Sequence, residues 1–138
     1  ARCILACFGL FAKRVTISLM TSKSELGKLG ENLACRYLKK KGYKVVERNY
    51  LKPWGELDIV TISPEKILVF VEVKTVSGPA PIIAGEDQFT RAKSVKSKRA
   101  AELYANGSNL LTDKGWRIDL IAVTMDGDRA EVRHYENV

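Results

Sequence analysis

At 138 residues and 15.4 kDa the chain amounts to one ordinary domain, and 46% hydrophobic with 28% charged residues is enough for a core, which excludes global disorder and a disulfide-dependent miniprotein. Lysine and arginine total 23 against 16 aspartate and glutamate, so a formal charge of +7 and a pI near 9.4 point to polyanionic partners, nucleic acid first. Three cysteines, Cys3, Cys7 and Cys35, form no C-x-x-C pair and have His134 as the single histidine, which argues against zinc and for a reducing, cytoplasmic setting.

Residues 1–20 differ from the rest, being apolar at Ile4 to Ala12, basic at Arg2, Lys13 and Arg14, and free of acid until Glu25. The apolar run is too short to span a bilayer and no A-x-A-like cleavage site follows it. Met20 marks an alternative start, so residues 1–20 are expected to be an extension outside the folded domain of residues 21–138. Without Arg2, Lys13 and Arg14, three cations, the formal charge falls from +7 to +4 and the domain stays basic.

From Ser22 the elements follow in order. Ser22-Lys23-Ser24-Glu25 is a capping box, and Leu26, Leu29, Leu33 and Tyr37 at helical spacing predict a first helix that Gly42 stops. Tyr43 to Asn49 reads as a strand, Lys52-Pro53-Trp54-Gly55 as a turn, and Glu56 to Ile62 as a second strand with strict alternation at its start. Ser63 to Lys66 turns into a valine-rich strand, Ile67 to Thr75. A loop with Gly78, Pro79, Pro81 and Gly85 leads to a helix from about Thr90 to Asn106. Trp116 to Thr124 and Ala130 to Tyr135 are strands joined at Asp126-Gly127, a strong hairpin signal. This order predicts an α/β fold, a mixed sheet of about five strands flanked by helices.

Chemistry concentrates on the second and third strands. A period of two sets Val69, Val71 and Val73 on one face, and Phe70, Glu72 and Lys74 on the other. The same period sets Glu56 and Asp58 opposite Leu57 and Ile59. If the two strands form a hairpin, Asp58 and Glu72 share a face and can converge on one hard cation, with the Val73 carbonyl as a further oxygen. Lys74 is then positioned to orient or deprotonate an attacking water and to stabilise charge on a phosphate. The alternative is a cross-strand ion pair of Asp58 or Glu72 with Lys74, contributing little.

Gly30-Glu31, Gly42-Tyr43, Gly55 to Val60, Val69 to Lys74 and Arg117 to Ile121 together resemble the YraN-type family of small bacterial proteins. That family is itself similar to the PD-(D/E)xK, restriction endonuclease-like nuclease superfamily and to Holliday junction resolvases. The resemblance runs from about Lys23 to Val138. It implies a restriction endonuclease-like core, a helix carboxylate at Glu31, metal ligands at Asp58 and Glu72 for Mg²⁺ or Mn²⁺, and a catalytic lysine at Lys74. Glu31 fits independently, at the border of the apolar stripe of the first helix. Lys93 matches a family lysine and is expected to contact phosphate or support the site. Leu57 stands in place of the proline of P-D, a tolerated variation. Leu51-Lys52 and Thr75-Val76 stand where family members often carry arginine, which affects substrate contacts.

On the second helix Ala92, Val95, Ala100 and Leu103 make an apolar arc that also takes in Lys96 and Arg99, which are therefore expected to flank or enter a groove facing the sheet and grip a phosphate backbone. Snorkelling along the helix is the alternative. Trp54 either packs in its turn or stacks on an unpaired base. Asp119 is read as structural, pairing with Arg117 or a basic helix residue, and His134 is given no role. The expectation is a Mg²⁺- or Mn²⁺-dependent endonuclease acting on DNA, branched or otherwise processed, with a homodimer required for cutting two strands. The competing class is a non-catalytic nucleic-acid-binding module that works with a repair, recombination or uptake partner.

Overall fold

A computed structural model of the chain describes residues 22–78, 91–127 and 129–138, with the side chains of residues 91–94 outside the description. The expectation for residues 1–20 therefore lies outside the described residues. The elements are α1 (Lys23–Lys40), β1 (Lys44–Lys52), β2 (Gly55–Ile62), β3 (Leu68–Ser77), α2 (Arg91–Gly107), β4 (Trp116–Asp126) and β5 (Arg129–Tyr135). They form a five-stranded sheet in the order β1-β2-β3-β4-β5. β3 and β4 are parallel and the other neighbours antiparallel, so the sheet is mixed, and α2 lies in the one long connection that a parallel pair requires.

Ser22 caps α1, its hydroxyl accepting from the Glu25 N–H at 3.1 Å. At the other end Gly42 takes φ +85, and the bonds from Gly42 N–H to the Lys39 carbonyl and from Tyr43 N–H to the Leu38 carbonyl close the helix on its own last turn. The helix buries Leu33, Ala34, Tyr37 and Leu38 against Ile59, Val71, Val73, Ile121 and Val123 on one face of the sheet. On the other face α2 covers Leu57, Val60, Leu68, Phe70 and Ile118. Two apolar layers thus sandwich β3 and β4, whose inner residues are buried on both sides.

The apolar arc expected on α2 is used only in part: Ala100 is buried, and the Ala92 side chain lies outside the description. Val95 and Leu103 are 60% and 45% exposed, and the buried side is made of Ser97, Ala100, Ala101 and Ala105. Small side chains let the helix backbone sit close to the sheet, whereas a face of Val95 and Leu103 would hold it away. Among the described residues no helix is long and apolar enough to cross a membrane.

The approach of α1 to β3 is set by one residue. A methyl at Gly30 would overlap the Thr75 side chain, while a methyl at Gly27, one turn earlier, meets nothing within 4 Å. Gly30→Ala should therefore lower stability by about 1–3 kcal/mol through overpacking. Gly27→Ala should raise it by about 0.4–1 kcal/mol, because the unfolded chain loses freedom at no steric cost. Urea unfolding midpoints of the two variants, moving in opposite directions, are the check.

Candidate functional site

β2 and β3 pair from Ile62↔Leu68 to Ile59↔Val71 and no further. The bond from the Ser63 N–H to the Ile67 carbonyl fixes which facing pairs exchange ladder bonds, and in that alternation Leu57 would be the next acceptor for the Val73 N–H. Instead the Val73 N–H donates to Asp58 Oδ2 at 2.8 Å. A carboxylate takes the place of a strand carbonyl, and the two strands part at this point.

The opposite strand bends at the same level. Asn49, on β1, has φ +53, a left-handed conformation that asparagine tolerates better than most residues. Arg48, before it, reaches α1, donating to Asn32 Oδ1 at 2.9 Å and lying 3.8 Å from Glu31. Tyr50, after it, packs on the α2 side against Tyr104 at 5.0 Å between ring centres. Leu57 likewise joins the α2 layer while Ile59 joins the α1 layer. The strict alternation expected at Glu56 to Ile59 therefore fails at Asp58, and Leu57 and Ile59 do not share a face.

β3 keeps its alternation through the parting. Val71 and Val73 belong to the α1 layer and Phe70 to the α2 layer, which sets Glu72 and Lys74 on the α2 side. Glu72 is 3% exposed, Lys74 half-buried. Asp58 and Glu72 are the next facing positions after the last paired step, and the Val73 N–H, next to Glu72, is bound by the Asp58 carboxylate across the opening. Among the described residues no group of three or more His, Cys, Asp or Glu side chains is gathered for a metal. Two carboxylates with a peptide oxygen are nevertheless the donor set that Mg²⁺ commonly takes from a protein, water and substrate oxygens completing the shell.

Glu31 reaches this site from α1. Burial pushes its carboxyl up, Asp58 pushes it further, Arg48 and a hydrogen bond from Asn49 pull it back, and Glu56 adds to the rise, leaving it above the ordinary glutamate value. Glu31 thus stands in the field of Asp58 with Arg48 and Asn49 as its neighbours, in an open hollow of about 650 Å³ also lined by Lys28 and Asn32. The sequence did not single out Arg48, and marked Asn49 only as the end of a strand. Their signal, an asparagine that interrupts a strand of charged residues, is visible only once the left-handed turn is known.

The basic helix residues separate. Lys93 lies in the first turn of α2, with its side chain outside the described residues. Lys96 is exposed and lines a groove of about 530 Å³ between α2 and the turn joining β1 to β2. Arg99 is exposed and one helical turn from both Val95 and Leu103, on the outward side, so it does not enter the sheet-facing groove. The cause is again the alanine face, which turns the helix away from the arc that hydrophobicity marks out.

On β4, where it pairs with Val71 of β3, Asp119 is fully buried; it accepts from Arg117 Nε at 2.9 Å and from the Asn137 N–H at 2.9 Å, and shares a hydrogen bond with His134 Nε2 at 2.8 Å. Burial pushes the Asp119 carboxyl up, but His134, Asn137 and Arg117 outweigh it and hold the group below the ordinary aspartate value. His134 acts here as a partner of Asp119, edge-on to Tyr37 and Tyr43 at 5.7 and 5.9 Å. This network ties the C-terminal segment to β4, on the side of β3 away from β2.

A family model described as "Uncharacterised protein family UPF0102" matches residues 30–123. A UPF0102 protein of Fervidobacterium nodosum is 37% identical over 110 residues, covering 80% of this chain and 78% of the relative. That of Syntrophotalea carbinolica is 41% identical over 112 residues, covering 80% and 87%. That of Carboxydothermus hydrogenoformans is 37% identical over 120 residues, covering 85% and 97%. A solved structure, a protein of unknown function from Silicibacter pomeroyi, is similar over 83% of this chain and 71% of that one, at 16% identity and a TM-score of 0.35.

A raised carboxyl is a cost to the folded state whenever it is ionised. For Glu31 the folded pKa lies above the unfolded one, so the stability linked to its proton is present below the unfolded pKa and lost as the pH rises through the folded pKa. Glu31→Gln should accordingly be more stable than the parent at pH 7, and the difference should shrink as the pH falls through the raised folded pKa and be gone below about 4.3, the ordinary glutamate value. Thermal melting of both proteins across pH 3 to 8 measures it; a variant less stable at pH 7 would contradict the reading.

Proposed function

We propose, starting from the fact that the chain belongs to the uncharacterised protein family UPF0102, that the protein hydrolyses phosphodiester bonds of DNA with Mg²⁺ or Mn²⁺. The active site is the gap between β2 and β3, in a restriction endonuclease-like, PD-(D/E)xK arrangement. The observation that carries the reading is the Asp58 carboxylate fixed on the Val73 N–H, at the point where two strands part and directly before the facing Glu72 and Lys74. A structural ion pair requires neither the loss of a ladder bond nor a carboxylate 3% exposed.

Asp58, Glu72 and the Val73 carbonyl would hold the cation, which supplies a divalent charge to offset negative charge building on the phosphate. Asp58 cannot swing away, because one of its oxygens is bound to the backbone of the strand that carries Glu72. Lys74, two residues on along the same side of β3, stabilises the phosphate oxygens and orients the attacking water. Glu31, whose carboxyl takes up a proton more readily than a surface glutamate, is suited to exchanging a proton with the reacting oxygens. Lys96, and Lys93 in the same stretch of α2, attract the strand as a sequence-independent positive rail. Cutting both strands of a duplex requires two copies of the chain acting together.

Cleavage of labelled single-stranded, duplex, flap and four-way-junction DNA with Mg²⁺ or Mn²⁺ tests the proposal, beside Asp58→Asn and Lys74→Ala. Both variants should cut about 100-fold more slowly or worse while still binding DNA. Asp58→Asn keeps an oxygen to accept from Val73, so its fold should persist. Cutting that survives in both variants, or that ignores chelation, would overturn the site. A folded protein that retains DNA without cutting it would instead be a binding module.

A further inference from the structure

The turn between β1 and β2 has a feature that its geometry does not need. Gly55 takes φ +150, and a Cβ there would come within 3.1 Å of both the Lys96 carbonyl and the Ala100 Cβ. Glycine is thus required for α2 to close on the turn. Nothing comparable requires an indole at position 54. Trp54 is nevertheless there, 41% exposed, with no aromatic ring against it among the described residues. The other tryptophan, Trp116, is set edge-on to Phe70 at 5.8 Å between ring centres.

The close approach at Gly55 makes Trp54 one wall of the groove of about 530 Å³, a size that suits a small planar group. Lys52 and Lys96 also line it, and the carboxylate of Glu56 lines it with them. A groove made only for phosphate would not include a glutamate. An indole face, an acceptor for an exocyclic amino group and two ammonium groups are together the chemistry of a nucleotide: a base to stack, an edge to read, and a charged backbone to hold.

We propose that this groove seats an unpaired nucleobase on Trp54, so that the DNA reaching the gap at Asp58 is single-stranded there. The inference rests on the nuclease reading above and names its substrate class. Trp54 lies four residues before Asp58, a reach of about 13 Å at the rise of an extended strand. Stacked nucleotides advance about 3.4 Å each along one strand, so a base on Trp54 lies only a few nucleotides from the phosphate at the gap. Lys52 and Lys96 hold the backbone on the way. A duplex, whose bases are engaged with each other, offers no face to the indole; a flap, a frayed end or a junction does.

The probe is oligothymidylate against a blunt duplex of equal length, with chelator present so that nothing is cut. Trp116→Phe leaves Trp54 as the single tryptophan. Its fluorescence should be quenched by the oligothymidylate and little changed by the duplex. Should Trp116→Phe fail to fold, fluorescence anisotropy of labelled oligonucleotides replaces the quenching readout. By that measure Trp54→Ala should weaken single-strand binding about 5- to 150-fold, the measured range for one stacked base, and Trp54→Phe should restore most of it. Equal single-strand affinity in Trp54→Ala and the parent would overturn the base seat while leaving the nuclease reading intact. A parent that binds neither form of DNA would overturn both.

Discussion

A single hydrogen bond, from the Val73 N–H to Asp58 Oδ2 at 2.8 Å, decides the shape of this molecule around its site. A buried peptide N–H has to be satisfied, and in a regular hairpin a carbonyl of the neighbouring strand would do it. Here a side chain does, so the neighbouring strand is released from the ladder without leaving a donor orphaned. The β1–β2 hairpin then turns toward α2, where Leu57 and Tyr50 find apolar cover beside Phe70 and Tyr104. The parting of the strands, the rigid seat of Asp58 and the closeness of Trp54 to Lys96 all follow from that substitution of one acceptor for another.

Two carboxylates, Asp119 on β4 and Glu31 on α1, are shifted in opposite directions. Asp119 is held below the ordinary aspartate value by three partners, so its ionised form belongs to the folded state and supports it above the unfolded pKa, with that support lost only as the pH falls through the lower folded value. Glu31 is raised, so its ionised form works against the fold. Glu31 stands in the field of Asp58 and Glu56, whereas Asp119 lies among Arg117, His134 and Asn137.

The helices, the five strands and their turns were legible because their signals are local: the capping box at Ser22, the glycine at Gly42, the alternation of Val69 to Lys74, and Asp126-Gly127. The facing of positions 58 and 72 followed from pairing two neighbouring strands. What failed was non-local. The face of Leu57 depends on a left-handed Asn49 in the opposite strand, which no pattern within β2 records. The packed side of α2 escaped because alanine carries little hydrophobic weight, although its smallness is what close packing against the sheet rewards. His134 found its partner 15 residues away across a β hairpin, and Arg48 found Glu31 and Asn32 on a different element.

The parted strands also give the sheet a fork. From Leu68 to Val71 the first four strands are joined, while beyond Val71 the β1–β2 hairpin forms one prong and β3 and β4, with β5 joining from Leu120, the other. The β1–β2 prong is braced, by the bond from Val73 to Asp58 and by the packing of Leu57 and Gly55 against α2. Lengthening or shortening its tip at Pro53-Trp54 changes how far it overhangs, yet leaves the register of β3 against β4 untouched. A change of a few residues in that one turn would therefore alter the outline of the β1–β2 prong while Glu72 and Lys74 kept their pairing with Leu120 and Ala122.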